Sequence, residues 1–146
     1  MQCIFCQFVD GERKTHSDGL PFKIIHRKEH TISFLSNAVP EKQDGQILVI
    51  PIRHYCNIGE VPQYILKELM THTILIVNIL RKNHEGCNIL LNEGKSASQT
   101  IPHTHFHIIP RDRGDKIRIE SYKKKNVSSE EFLKLHREMK RMLKSN

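Results

Sequence analysis

Residues 103–110 read HTHFHIIP, with histidine at every second position and an apolar end at Ile108, Ile109 and Pro110. Imidazole titrates near neutrality and fills a core poorly, so three in alternation restrict the backbone more than any other stretch. In an extended strand, side chains two apart share a face. The spacing predicts a strand over 104–109 with His103, His105 and His107 on one side and Thr104, Phe106 and Ile108 on the other.

Other strand-like runs lie at 22–26, 31–35 and 87–91, and a short apolar run at 46–50 ends at Pro51. Residues 10–19, 36–44 and 92–102 are polar and read as loops. Pro62 opens the best helix, in which Ile65, Leu69, Ile76 and Leu80 recur at helical spacing and Gly86 offers a stop. A last helix starts near Ser128. There Ser128 and Glu131 have capping-box spacing, and Phe132, Leu135, Met139 and Met142 form one stripe that reads as packing surface, on this domain or on a partner subunit. Strands gathered around two helices, without strand–helix alternation, predict an α+β fold with a mainly antiparallel sheet of about five strands.

A chain of 146 residues is long enough for one domain with a real core. Its apolar runs are far shorter than the roughly 20 residues of a membrane span. The N-terminus lacks the basic start and apolar stretch of a secretion signal, so a cytoplasmic location is expected. In that setting Cys3, Cys6, Cys56 and Cys87 point to metal binding or plain burial before disulfides.

Three imidazoles in register can supply a nucleophile, a base or an acid. A single zinc ion does not readily take all three. Residues two apart on a strand are separated by about 7 Å, whereas zinc holds its ligands at about 2 Å. Cys3 and Cys6 form a CxxC, which suits zinc or redox chemistry; with no second CxxC, a zinc site needs two more ligands, and histidine is the natural supply.

HTHFHII resembles the alternating signature of the histidine-triad (HIT) superfamily. CIFC at 3–6 resembles the start of many bacterial and archaeal members, ILVIPIRH at 47–54 their LVIPKxH segment, and LNEGKSASQTIPHTHFHIIPR at 91–111 the block that carries the triad. The resemblance implies a HIT-like fold and a nucleotide hydrolase or nucleotidyl transferase. It also implies that His105 attacks the α-phosphorus of a nucleotide, giving a covalent nucleotidyl-histidine that water cleaves. His107 then supports the phosphate or leaving group, Gln99 bonds phosphate oxygens or steers the leaving group, Thr100 contributes a hydroxyl and a backbone N–H, and Asn92 lies at the mouth of the phosphate site. The ribose-binding position falls on Ser36 or Asn37, of which Asn37 is preferred because its carboxamide bridges two hydroxyls. Phe5, Phe8, Ile25, Phe34 and Leu35 are candidates for the base-facing surface. The implied zinc ligands are Cys3, Cys6, His54 and His103, a structural site with no open position. The implied partners are a purine nucleotide and a second copy of the chain, with dinucleoside polyphosphates and adenosine 5′-phosphoramidates as the two substrate classes.

Three positions depart from the family pattern: Thr104 between the first two histidines, Ser98 where glycine commonly precedes the glutamine, and Gln46 where many members carry a fourth histidine. The resemblance covers residues 1–111 as a HIT domain and leaves 112–146 as a basic extension with a helix. Net charge is +7, from 23 Lys and Arg against 16 Asp and Glu. Much of the excess lies in that extension, including Lys123, Lys124 and Lys125. A basic surface favours anionic ligands. The alternative function is therefore a nucleotide- or nucleic-acid-binding module that uses the tail, although the chain has no Trp for stacking.

Overall fold

The computed structural model describes residues 3–119 and 121–144. In chain order the elements are α1 (Ile4–Val9), β1 (Ile24–Arg27), β2 (Thr31–Leu35), β3 (Ile47–Pro51), α2 (Gln63–Leu80), β4 (Gly86–Leu91), β5 (Phe106–Arg111) and α3 (Ser129–Lys144). The strands form one sheet in the order β1-β2-β3-β5-β4, every pair antiparallel. The fold is α+β, as predicted.

Strand alternation gives the sheet two covered faces. Val49, Phe106 and Ile108 point to one side and pack with Ile65, Leu69 and Ile76 of α2. Ile32, Phe34, Leu48 and Ile50 point to the other and pack with Phe5 and Phe8 of α1. His107 pairs across the ladder with Leu48, which places it on the α1 face. The chemistry therefore lies on the side opposite the long helix.

Sequence and structure differ at four places. Helix α1 was not predicted: six residues are too few to be helical in isolation, and it is held by Phe5 and Phe8 in the core. Helix α2 ends at Leu80, six residues before Gly86. The backbone closes the helix there, the Arg81 N–H donating to the Val77 carbonyl at 2.9 Å, and Asp112 holds the turn that follows, taking the Glu85 N–H at 2.9 Å and meeting His84 Nδ1 at 2.8 Å. Gly86 instead opens β4.

Strand β5 begins at Phe106, so His103 and His105 precede it. The Thr104 N–H donates to the Tyr55 carbonyl at 2.7 Å and the His103 N–H to Ile101 at 2.8 Å, which diverts this segment from the ladder. Finally, α2 buries His72 and Thr73 within its apolar face. The His72 nitrogens meet the hydroxyls of Thr31 (2.9 Å) and Ser33 (3.1 Å) on β2, and Thr31 in turn donates to Glu68. A buried imidazole is tolerated because both of its nitrogens are bonded.

The capping box of α3 forms as the sequence predicts: Ser128 Oγ accepts the Glu131 N–H at 3.2 Å, and Glu131 accepts the Ser128 N–H at 2.9 Å. Among the described residues α3 packs against no other helix or strand. Phe132, Leu135 and Met139 remain exposed. No described helix is long and apolar enough to cross a membrane.

Candidate active site and metal centre

Phe5 is the hinge of the site. Its ring stands edge-on to His103 at 5.7 Å and to His105 at 5.3 Å between centroids. It thereby presses the N-terminal helix onto the histidine segment. Cys3, which caps α1, and Cys6, one turn on, face His103 and His54.

The ligand atoms of these four residues lie within 4.8 Å of one another. Cys3 Sγ is 3.5 Å from His103 Nδ1, and Cys6 Sγ is 3.4 Å from His54 Nδ1 and 3.8 Å from His103 Nδ1. Sulfur and nitrogen at zinc bond lengths on two corners of a tetrahedron are about 3.5 Å apart. The donor set therefore fits a four-coordinate ion. Outer hydrogen bonds orient both rings, as metal-bound histidines require. His103 Nε2–H donates to the Pro51 carbonyl at 2.9 Å, and His54 Nε2 meets Cys56 Sγ at 3.4 Å. Burial and the adjacent Cys3 thiol push the Cys6 thiol up to about 11, a cost that a cation at the centre removes.

His105 is 4% exposed. Its Nδ1–H donates to the His103 carbonyl at 2.6 Å, which leaves Nε2 with the lone pair. His107 follows on β5, 4.7 Å from His105 between ring centroids. Its Nδ1 meets Gln46 Oε1 at 2.7 Å, and its Nε2 is buried without a protein partner. Burial lowers the pKa of both rings, and His107 falls to about 4 with help from His105. Both are neutral at pH 7.

One cavity takes in His105, His107 and Thr100 at one end and Phe5, Phe8, Phe34, Ser36 and Asn37 beyond. Asn37 is held by Asp18, which accepts from its Nδ2 at 3.0 Å, while the Ser36 hydroxyl is taken by the Ala38 N–H. Ile25 and Leu35 are surface residues, exposed at 51% and 45%, so neither belongs to this pocket. Leu35 falls on a strand position that turns away from the α1 face, and Ile25 sits at the register shift of β1.

Asn92 and Gln99 do not line the cavity. Gln99 is engaged elsewhere: its Oε1 accepts the Gly94 N–H at 2.8 Å, and its Nε2 donates to the Cys56 carbonyl at 2.9 Å. It ties the loop at 92–102 to the segment that carries His54. Ser98 has φ of 68°, so this position does require the left-handed region that glycine favours. His16 is a pocket residue that sequence reasoning missed. It is buried and stands edge-on to Phe8 at 5.1 Å. It came from a polar loop with no periodicity to mark it.

A sequence profile of the HIT domain matches residues 19–114. The chain belongs to the HIT family. An uncharacterised HIT-like protein of Methanocaldococcus jannaschii is 35% identical over 133 residues, 90% of this chain and 96% of its own. The adenosine 5′-monophosphoramidase of Candida albicans is 30% identical over 115 residues, 75% of this chain and 70% of its own. Among solved structures, the histidine triad nucleotide-binding protein of Candida albicans superposes with a TM-score of 0.80 at 25% identity, covering 99% of both chains. A zinc-bound histidine triad protein of Mycobacterium smegmatis gives 0.69 at 28% identity, covering 99% and 97%.

The buried neutral histidines make stability of this HIT protein pH-dependent. Burial lowers His72, like His107, to about 4. An unfolded histidine titrates near 6.5. Between these values the unfolded chain binds protons that the native chain refuses, so stability falls as pH drops from about 6.5 to about 4. Urea unfolding followed across that window is expected to show a slope of about two protons or more, since burial lowers His105 as well, and a flat profile there would contradict the burial of these neutral rings.

Proposed function

We propose that the protein is a nucleotide hydrolase that cleaves a phosphoanhydride or phosphoramidate bond at the α-phosphorus through a covalent nucleotidyl-His105. The observation that carries this is the His105 Nδ1–H bond to the His103 carbonyl, which leaves Nε2 as a neutral nucleophile at the cavity. In-line attack forms the Nε2–P bond and expels the leaving group with its electron pair. The imidazole becomes cationic, and the short Nδ1–H···O=C bond then strengthens against that charge. Water next attacks phosphorus, and the P–N bond electrons return to His105. His107 lies beside the reacting phosphate as its support.

The nucleoside lies among Phe5, Phe8 and Phe34, with Asn37 on the ribose hydroxyls and Thr100 on a phosphate oxygen. The proposed role of Gln99 at the phosphate requires it to leave Gly94 and Cys56, and that of Asn92 requires substrate to extend beyond the cavity. Purine nucleotides are the proposed substrates, in line with the adenosine compound in the Candida relative's name. A panel of diadenosine polyphosphates and adenosine 5′-phosphoramidate, quenched in acid-free denaturant during turnover, tests the reading. Mass analysis is expected to find the nucleotidyl group on His105, and turnover with no adduct on a rapid-quench time scale would overturn the covalent route.

Zinc is the proposed metal, held by Cys3, Cys6, His54 and His103. When bound it supplies a cross-link and no open coordination position. Its role is to seat α1, and with it Phe5, against the histidine segment.

We also propose a cytoplasmic homodimer, with 112–146 as an extension that packs on the partner. The support is apolar surface left open on α2 (Met70, Ile74, Ile79), on the edge strand β4 (Ile89) and on α3. Sedimentation equilibrium is expected to give a particle of two chains, and a monomer at micromolar concentration would refute the assembly.

A further inference from the structure

Gln46 is fastened on both sides. Its Nε2 lies 2.8 Å from the Ala38 carbonyl and its Oε1 2.7 Å from His107 Nδ1. A backbone carbonyl only accepts, so the NH₂ group must face Ala38 and the amide cannot be flipped. The oxygen left facing His107 also only accepts, so the proton of that ring must sit on Nδ1. Gln46 itself is buried on β3's approach, beside the Leu48–His107 pair, and does not titrate.

We propose that Gln46 is a positioning residue that holds His107 as the Nδ1–H tautomer, with the Nε2 lone pair on the reacting side, and so adapts the site to leaving groups that depart as oxyanions. This rests on the hydrolase reading above. A lone pair at Nε2 has no proton to give in the first step. A phosphate oxygen leaves with its electron pair and needs none. An amine leaving from a P–N bond needs a proton, because an amide anion is too basic to depart. No carboxylic acid, lysine or arginine lines the cavity among the described residues to supply one; His16 and His105 are the other ionisable groups there. In the second step the same lone pair is useful. Water forms the new P–O bond, the P–N bond electrons return to His105, and the water proton passes to His107 Nε2. The resulting imidazolium keeps its Nδ1–H on Gln46 and is reset by losing the Nε2 proton to water that enters the cavity once product has left. The low pKa of His107 supports a ring that is neutral at rest.

The test combines a tautomer measurement with substrate selectivity on the full-length protein. Nitrogen-15 spectra of the histidine rings are expected to show His107 protonated at Nδ1 in the wild type and to lose that preference in Gln46→Leu. Diadenosine triphosphate is expected to exceed adenosine 5′-phosphoramidate by about tenfold or more in kcat/KM. Gln46→His, which places a titratable ring next to His107, is expected to shrink that ratio by about tenfold at pH 6. Gln46→Leu is expected to lower kcat on the anhydride by about 10- to 100-fold with KM little changed. An Nε2–H tautomer in the wild type, or preference for the phosphoramidate, would overturn the proposal. Absence of turnover on both compounds would instead sink the hydrolase reading, and with it the leaving-group selectivity, while the spectra still decide the tautomer.

Discussion

His105→Ala is expected to abolish turnover, by about 10⁴-fold or more, in a protein that still folds and still carries its metal. The size follows from the role: no other cavity side chain offers a lone pair held at the reacting position by a bond as short as the 2.6 Å contact with the His103 carbonyl. The structural cost is smaller. Removing the ring deletes an edge-on contact with Phe5 and one with His107, and it leaves the buried His103 carbonyl without that donor. An unsatisfied buried acceptor costs about 1–3 kcal/mol. Steady-state rates with the best substrate of the panel, beside circular dichroism and a metal assay on the same sample, separate the two effects. His105→Gly supplemented with free imidazole is expected to recover part of the rate. Wild-type activity in His105→Ala would reject His105 as nucleophile.

Loss of the metal is the second large effect, and it falls on stability. Cys3→Ser or exhaustive chelation is expected to lower the unfolding midpoint by about 10 °C. That corresponds to on the order of 3–4 kcal/mol at about 3 °C per kcal/mol for a chain of this size. The proposed zinc would join three segments far apart in sequence, whose candidate ligands cluster: the start of α1, the turn after β3 and the lead-in to β5. Without it two cysteines and two histidines face one another in a partly buried pocket, and α1 is too short to persist except by Phe5 and Phe8 packing. The phosphate chemistry is expected to survive in the fraction that stays folded. The Pro51 carbonyl still holds His103 through Nε2, and the His103 backbone still holds His105. Elemental analysis is expected to find one zinc per chain in protein purified without chelator; its absence there would defeat the zinc assignment.

The alternation of His103, His105 and His107 was enough to place three imidazoles together, because a period of two admits few backbone solutions. Their division of labour was not visible in that pattern. All three are the same residue type at equal spacing, yet one faces Cys3 and Cys6, one bonds the His103 carbonyl and one meets Gln46. For His103 and His107 the difference comes from partners 61 to 100 residues away in sequence, which local pattern cannot locate.

The same limit explains the other gaps. The α2 stripe was legible from Ile65, Leu69 and Ile76, but buried His72 was not, since its tolerance depends on two hydroxyls of β2. Gly86 reads as the stop of α2, whereas the helix ends six residues earlier and Asp112, just past β5, holds the turn that follows. The capping box of α3 was readable because both of its members lie within one turn.

Chain order, residue type and short-range period thus pointed to the family and the α+β class, and marked out Cys3, Cys6, His54 and His103 as a group that folding brings together. Folding settled what depends on contacts across the sheet: the face that carries the histidines, the acceptors that meet Nδ1 of His105 and His107, and the capture of Gln99 by Gly94 and Cys56. A hydrogen atom on an imidazole goes to whichever nitrogen meets an acceptor, and only the folded chain puts the acceptor there.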